Sequence, residues 1–149
     1  MTASLANPDF CRLAGCLVAE GMQVRLKASG HSMRPWIRDG DLVTLGPADP
    51  ARLKRGDVIA FTSAAGSLTI HRLMAVRMEA GGLMFVTRGD ARSVSDPPFG
   101  VNRMVGRVIE VRRDGRRVRV NGRVCLWGAA LRRRVMALRQ LARGGGGNR

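Results

Sequence analysis

From Met22 onward the apolar residues recur at every second position, in short runs. Met22, Val24, Leu26 and Ala28 alternate with Gln23, Arg25 and Lys27, the pattern of a strand with one face in a core and the other in water. Strand-like runs follow at 42–45, 57–62, 68–76, 83–87, 104–111 and 117–120. Asp39-Gly40, Gly46-Pro47, Gly81-Gly82 and Asp114-Gly115 punctuate them, and such pairs end strands and make turns. Many short strands with frequent turns predict a mainly β fold, a compact antiparallel barrel or sandwich.

Helical patterns flank this core. Asn7 is an N-cap residue, Pro8 suits the first helical position, and Asp9 complements the helix dipole. Phe10, Leu13, Ala14, Leu17 and Val18 fall on one face, and Gly21 is the expected stop, which predicts a helix over 7–21. Near the other end, Leu131, Val135, Leu138 and Leu141 form a stripe, with Arg132, Arg133, Arg134 and Arg139 mostly off it. This predicts a basic amphipathic helix over 124–142. It reads either as a helix lying on an anionic membrane or as one packed on the sheet. Residues 144–149 are low-complexity and expected to be disordered. The 149 residues therefore make one domain over 1–143, with a β core over 22–121.

Charge is lopsided. Residues 1–102 hold 12 basic and 9 acidic groups, a net of +3; residues 103–149 hold 14 arginines against Glu110 and Asp114, a net of +12. Such a basic third suits an anionic partner, a membrane surface or nucleic acid, or reflects a genome that writes Arg for Lys. No run approaches the roughly 20 apolar residues of a membrane span, and the N-terminus lacks the basic-then-apolar order of a signal peptide. The expected location is cytoplasmic, with peripheral contact at the inner membrane face through the basic helix and Trp36. Cys11, Cys16 and Cys125 include no Cys-x-x-Cys pair and there are two histidines, so reduced thiols are expected, with no metal and no cofactor.

Three segments carry chemistry. Gly30-His31-Ser32-Met33-Arg34-Pro35 puts a hydroxyl on a tight turn at a strand end, where a nucleophile is exposed and backbone N–H groups reach an oxyanion. Such serines are more often simple turn residues, and a serine needs a base. His71, within Leu68-Thr69-Ile70-His71-Arg72-Leu73, offers a serine its natural partner base from an apolar strand, or is a half-buried structural histidine. His31, adjacent to Ser32, would point the opposite way in an extended chain. Asp90 and Asp96 follow a strand in a turn-rich stretch, where each could hold an imidazole or cap a turn.

The ordered set Gly-x-Ser-Met-x-Pro, Gly-Asp, Gly-Asp-Val-Ile-Ala-Phe, Ile-His-Arg, Thr-Arg-Gly-Asp and Val-Gly-Arg-Val, spanning about residues 24–109, resembles the type I signal peptidase family. The resemblance implies the fold of that family's catalytic domain, with Ser32 as nucleophile. It implies His71 as base, in the Ser/His branch of the family. It places Asp96 at the triad position and Asp90 at a second, supporting acidic position among the catalytic residues. Gly30 stands where some members carry an oxyanion-hole serine, so the resemblance implies a hole at Ser32 and Gly30 built on backbone N–H, chiefly that of Ser32, with Ser29 nearby. The family's preference for small side chains before the cut bond implies a leader, propeptide or signal-like peptide as substrate. Met33, Ile70 and Leu73 would line an apolar groove that takes the peptide as an added strand. The family's membrane-tethering helix and large inserted domain are not expected from these 149 residues, which is a departure from its pattern. Ala91 and Arg92 replace the Asn often found after Gly-Asp, and Trp36 stands where Thr is common.

Two other readings share the fold. A self-cleaving, nucleic-acid-binding repressor would suit the charge. Against nucleic acid stand the roughly 28 residues before the Gly30 turn, too few for a DNA-binding domain and linker, and the absence of a suitably placed lysine base. A non-catalytic peptide-binding member would not need all three polar residues.

Overall fold

The computed structural model describes residues 7–121. The helix expected over 124–142 and the tail over 144–149 lie outside the described residues. Helix α1 spans Pro8–Ala19. Eight strands follow: β1 (Val24–Lys27), β2 (Leu42–Gly46), β3 (Val58–Thr62), β4 (Leu68–Glu79), β5 (Gly82–Arg88), β6 (Phe99–Gly100), β7 (Met104–Arg113) and β8 (Arg116–Arg117). They form one sheet in the order β1-β2-β7-β3-β4-β5-β6, with β8 on β7. All pairings are antiparallel. The sheet curls into a half-barrel rather than closing or doubling into a sandwich.

The alternating runs became strands because each has one face to bury. The exception explains itself. In β3, Val58 and Ala60 enter one apolar cluster while Ile59 and Phe61 enter a second. A central strand covered on both faces reads as a continuous apolar run. β6 is two residues long, too short for a periodicity to register. The run expected over 117–120 pairs only through Arg116–Arg117. Beyond it Val118 N–H still donates to Val111 O at 2.8 Å, and Val120 is buried.

Helix α1 starts and stops where its caps dictate. The Asn7 side chain accepts from Asp9 N–H at 2.9 Å. At the far end, Gly21 and Met22 donate back to Val18 and Leu17 carbonyls. Its buried line, however, is Cys11, Ala14 and Val18. Phe10 and Leu17 are half-buried, and Leu13, expected on the core face, is exposed. The stripe turns because α1 lies close against β7 at Gly106. A Cβ there would stand 2.7 Å from Gly46 O and 2.9 Å from Val18 Cγ1, a separation real side chains do not tolerate. Among the described residues, no helix is long and apolar enough to cross a membrane.

Candidate functional site

The loop joining β1 to β2 carries Ser32. Its ends are clamped by Ala28 N–H to Asp41 O (2.7 Å) and Gly40 N–H to Ala28 O (2.9 Å). Inside, Trp36 and Ile37 N–H groups both donate to Met33 O, winding the segment into a tight turn. Met33 and Ile37 are buried in the first cluster and pin that turn to the core. Asp41 is the polar anchor. Its carboxylate accepts from Arg38 N–H at 2.8 Å and from Arg113 Nε and Nη2 at 2.9 and 2.7 Å. Burial alone would raise the Asp41 pKa, but these donors and the arginine charges outweigh it and hold the carboxyl below its ordinary value.

That direction sets a pH dependence. A carboxyl whose folded pKa is depressed contributes stability that is present above its unfolded value, about 3.9, and is lost as pH falls through the folded value. Urea midpoints measured from pH 6 downward should therefore fall once pH drops below about 4–5. Asp41→Asn should start lower and lose less across the same range. A variant that falls in parallel with the wild type would exclude Asp41 as a source of the acid sensitivity.

His71 lies on β4 opposite Ile59 of β3. Its ring meets Phe61 edge-on, with centroids 6.1 Å apart at 61°. After β5 the chain turns at Gly89 and comes back, with Ala91 N–H donating to Ser32 O and Asp96 N–H to Thr87 O, both at 2.8 Å. The turn passes so close to the serine that a Cβ on Gly89 would lie 2.7 Å from Ser32 O and 3.1 Å from His71 Nε2.

These three segments bring Ser32, His71 and Asp96 together. His71 Nδ1 lies 2.6 Å from Asp96 Oδ2, and His71 Nε2 lies 3.1 Å from Ser32 Oγ. The carboxylate is an acceptor, so Nδ1 carries the proton and Nε2 is left to accept from the serine hydroxyl. The His71 side chain is 5% exposed and that of Asp96 20%, which shields the short contact from water. An imidazole so held can take a hydroxyl proton and be stabilised as an imidazolium. Among the described residues, Ser32 N–H donates to no protein acceptor. Beside the serine opens a cleft of about 300 Å³, lined in part by Met33, Ile70, Thr69 and His71.

The remaining expected residues stand differently. Gly30 N–H is taken by Asp39 Oδ1 at 3.0 Å, so it does not face an oxyanion; the Asp39 carboxylate caps the turn instead. Leu73 is fully buried in the second cluster and does not line this cleft, because it lies three positions from Ile70 on β4 and so on the opposite face of the sheet. Asp90 does not join His71. Both its oxygens accept from Arg72, at 2.8 and 2.7 Å, because a guanidinium with no exposure needs a counter-charge.

The sequence reading missed Thr87. It is fully buried, and its hydroxyl donates to Asp96 Oδ2 at 2.7 Å, the same oxygen that faces His71. The signal was present: Thr87 is two residues beyond core Phe85 on β5, so both point to one face. A hydroxyl directed into a core requires a partner.

No protein-family model matches the chain. Signal peptidase I W of Bacillus subtilis (strain 168) is 32% identical to it over 66 residues. That segment covers 44% of this chain and 35% of the relative, so the match spans about a third of the relative's length. The likeness supports a signal-peptidase-like, peptidase-related chain at that reach.

Proposed function

We propose that this protein is a serine endopeptidase working through Ser32, His71 and Asp96. The observation that carries the reading is the continuous contact from Asp96 through His71 to Ser32, whose backbone N–H has no acceptor among the described residues. The Ser32 oxygen attacks the peptide carbonyl as His71 Nε2 takes its proton. Asp96 keeps the ring oriented and offsets its charge. The oxyanion of the tetrahedral intermediate faces Ser32 N–H. His71 then protonates the leaving amine, and water repeats the sequence on the acyl-enzyme. The partial likeness to a signal peptidase supports a leader, propeptide or signal-like peptide as substrate, cut after a small residue. Met33 and Ile70 would flank it in the cleft. The protein would act in the cytoplasm, with its basic C-terminal segment touching the inner membrane face.

A small uncharged fluorophosphonate tests the reading without knowledge of the substrate. It should label Ser32 alone, as located by peptide mapping, and labelling should stop on prior denaturation. An unlabelled folded protein would end the proposal.

The same probe tests Thr87 as a positioning residue. A hydrogen bond to a charged group is worth about 1.5–3 kcal/mol, so Thr87→Val should slow labelling by roughly 10- to 100-fold. Thr87→Ser should restore most of the rate. Equal losses in both variants, tracking their urea midpoints, would mean the contact only packs the loop.

A further inference from the structure

The walls of the cleft beside Ser32 carry one sign of charge. Arg38 and Arg92 line it, and no carboxylate does so among the described residues. The neighbouring acids are committed elsewhere. Asp39 accepts from Gly30 N–H, Asp41 is held by both arms of Arg113, Asp90 by Arg72, and Asp96 by His71 and Thr87. Arg38 is exposed, and among the described residues its guanidinium makes no hydrogen bond or ion pair. It is thus a cation on the wall of a small, half-enclosed space, attracted at a distance by the Asp41 carboxylate but with its hydrogen-bond donors left open.

Resting on the peptidase reading above, we propose that the cleft selects peptides bearing an aspartate or glutamate near the bond to be cut, with Arg38 as the receiving charge. A space of about 300 Å³ is about 7 Å on a side, and extended peptide rises roughly 3.3 Å per residue, so the cleft spans about two residues. The acidic side chain therefore lies within about two residues of the scissile bond. Arg38 offers a planar fork that a carboxylate meets with two parallel hydrogen bonds. A lysine at the same peptide position would be repelled, so the preference works by exclusion as well as by attraction.

The test uses the full chain as the Ser32→Ala variant, so that binding is read without turnover. Rhodamine-labelled decapeptides of alanine, glycine and serine carry a single Asp, Asn or Lys walked through the central positions, and anisotropy gives Kd. At one or two positions Asp should bind about five- to tenfold more tightly than Lys, with Asn between, as two partly screened charges would give. In 1 M NaCl, where the Debye length shrinks to about 3 Å, the ratio should approach one. Adding Arg38→Glu should invert the order. Equal Kd values for Asp and Lys at every position, or an Asp preference that survives Arg38→Glu, would overturn the proposal. Fluorophosphonate labelling of the wild-type Ser32 in parallel keeps the two readings apart. A labelled serine with no charge preference removes the acidic specificity and leaves the peptidase; an unlabelled serine removes the peptidase whatever the peptides do.

Discussion

Ser32→Ala is expected to abolish fluorophosphonate labelling and to lower peptide cleavage by about 10⁶-fold, the loss typical of removing a serine nucleophile whose base stays in place. His71→Ala should cost about as much, because a hydroxyl 3.1 Å from an absent base is an ordinary alcohol. The double variant should be no worse than either single one, since the two groups act as a unit. Asp96→Asn should retain the packing but lose about 10⁴-fold, since an amide can stabilise the wrong imidazole tautomer. Rates on a peptide mixture containing small residues, read by mass spectrometry, check the series. Independent, multiplying losses at Ser32 and His71 would contradict a shared proton path. Urea midpoints measured alongside separate these effects from unfolding: Ser32 is half-buried and its truncation should leave the midpoint near the wild-type value, whereas His71 is buried.

Asp90→Ala is expected to be the most destabilising single change in the β core. Arg72 is fully buried and directs four hydrogen bonds: two to Asp90, one to Gly56 O at 2.8 Å and one to Val120 O at 2.6 Å. It thereby ties the turn after β5 and the stretch beyond β8 to the middle of β4. Removing the carboxylate strands a guanidinium where water cannot reach it, at a cost of about 3–5 kcal/mol, a large share of a typical domain's 5–15 kcal/mol. Arg72→Lys should fail almost as badly, since an ammonium cannot span four acceptors fixed for a planar fork. The paired change Arg72→Met with Asp90→Leu should recover much of the stability, because no charge is then left unpaired. Urea denaturation of the four proteins decides it. A double variant as unstable as Asp90→Ala would mean that the carbonyl contacts to Gly56 and Val120, not the charge pair, hold this region.

Asp90 and Asp96 show where a linear reading stops. Both follow β5 in one polar stretch, and either could have faced His71. What separates them is Arg72, the neighbour of His71 on β4. Alternation sends Arg72 to the opposite face of the sheet, and the turn at Gly89 delivers Asp90 to that side and Asp96 to the histidine's. Leu73 is a simpler case: three positions from Ile70 on one strand, it falls by alternation on the opposite face, so the two cannot line one groove. Thr87 and Arg72 were legible in principle, as polar side chains at core positions of strands, which require buried partners. The identity of those partners was not.

Local signals in the chain were enough to specify the elements. Period-two runs, turn pairs and the Asn7-Pro8-Asp9 cap are local signals, written within a few residues of where they act, and they specified an N-terminal helix and a mainly β core. The order of the boxes also singled out Ser32, His71 and two aspartates as a set. Long-range packing decided how the half-barrel curls, that helix α1 rotates to bury Cys11 instead of Leu13, and that Gly30 is capped by Asp39. It also decided which aspartate meets the imidazole and which the guanidinium. These choices depend on contacts between residues far apart in the chain, such as the 39 positions between Ser32 and His71. Close packing and the pairing of buried charges select among arrangements that local pattern leaves equivalent.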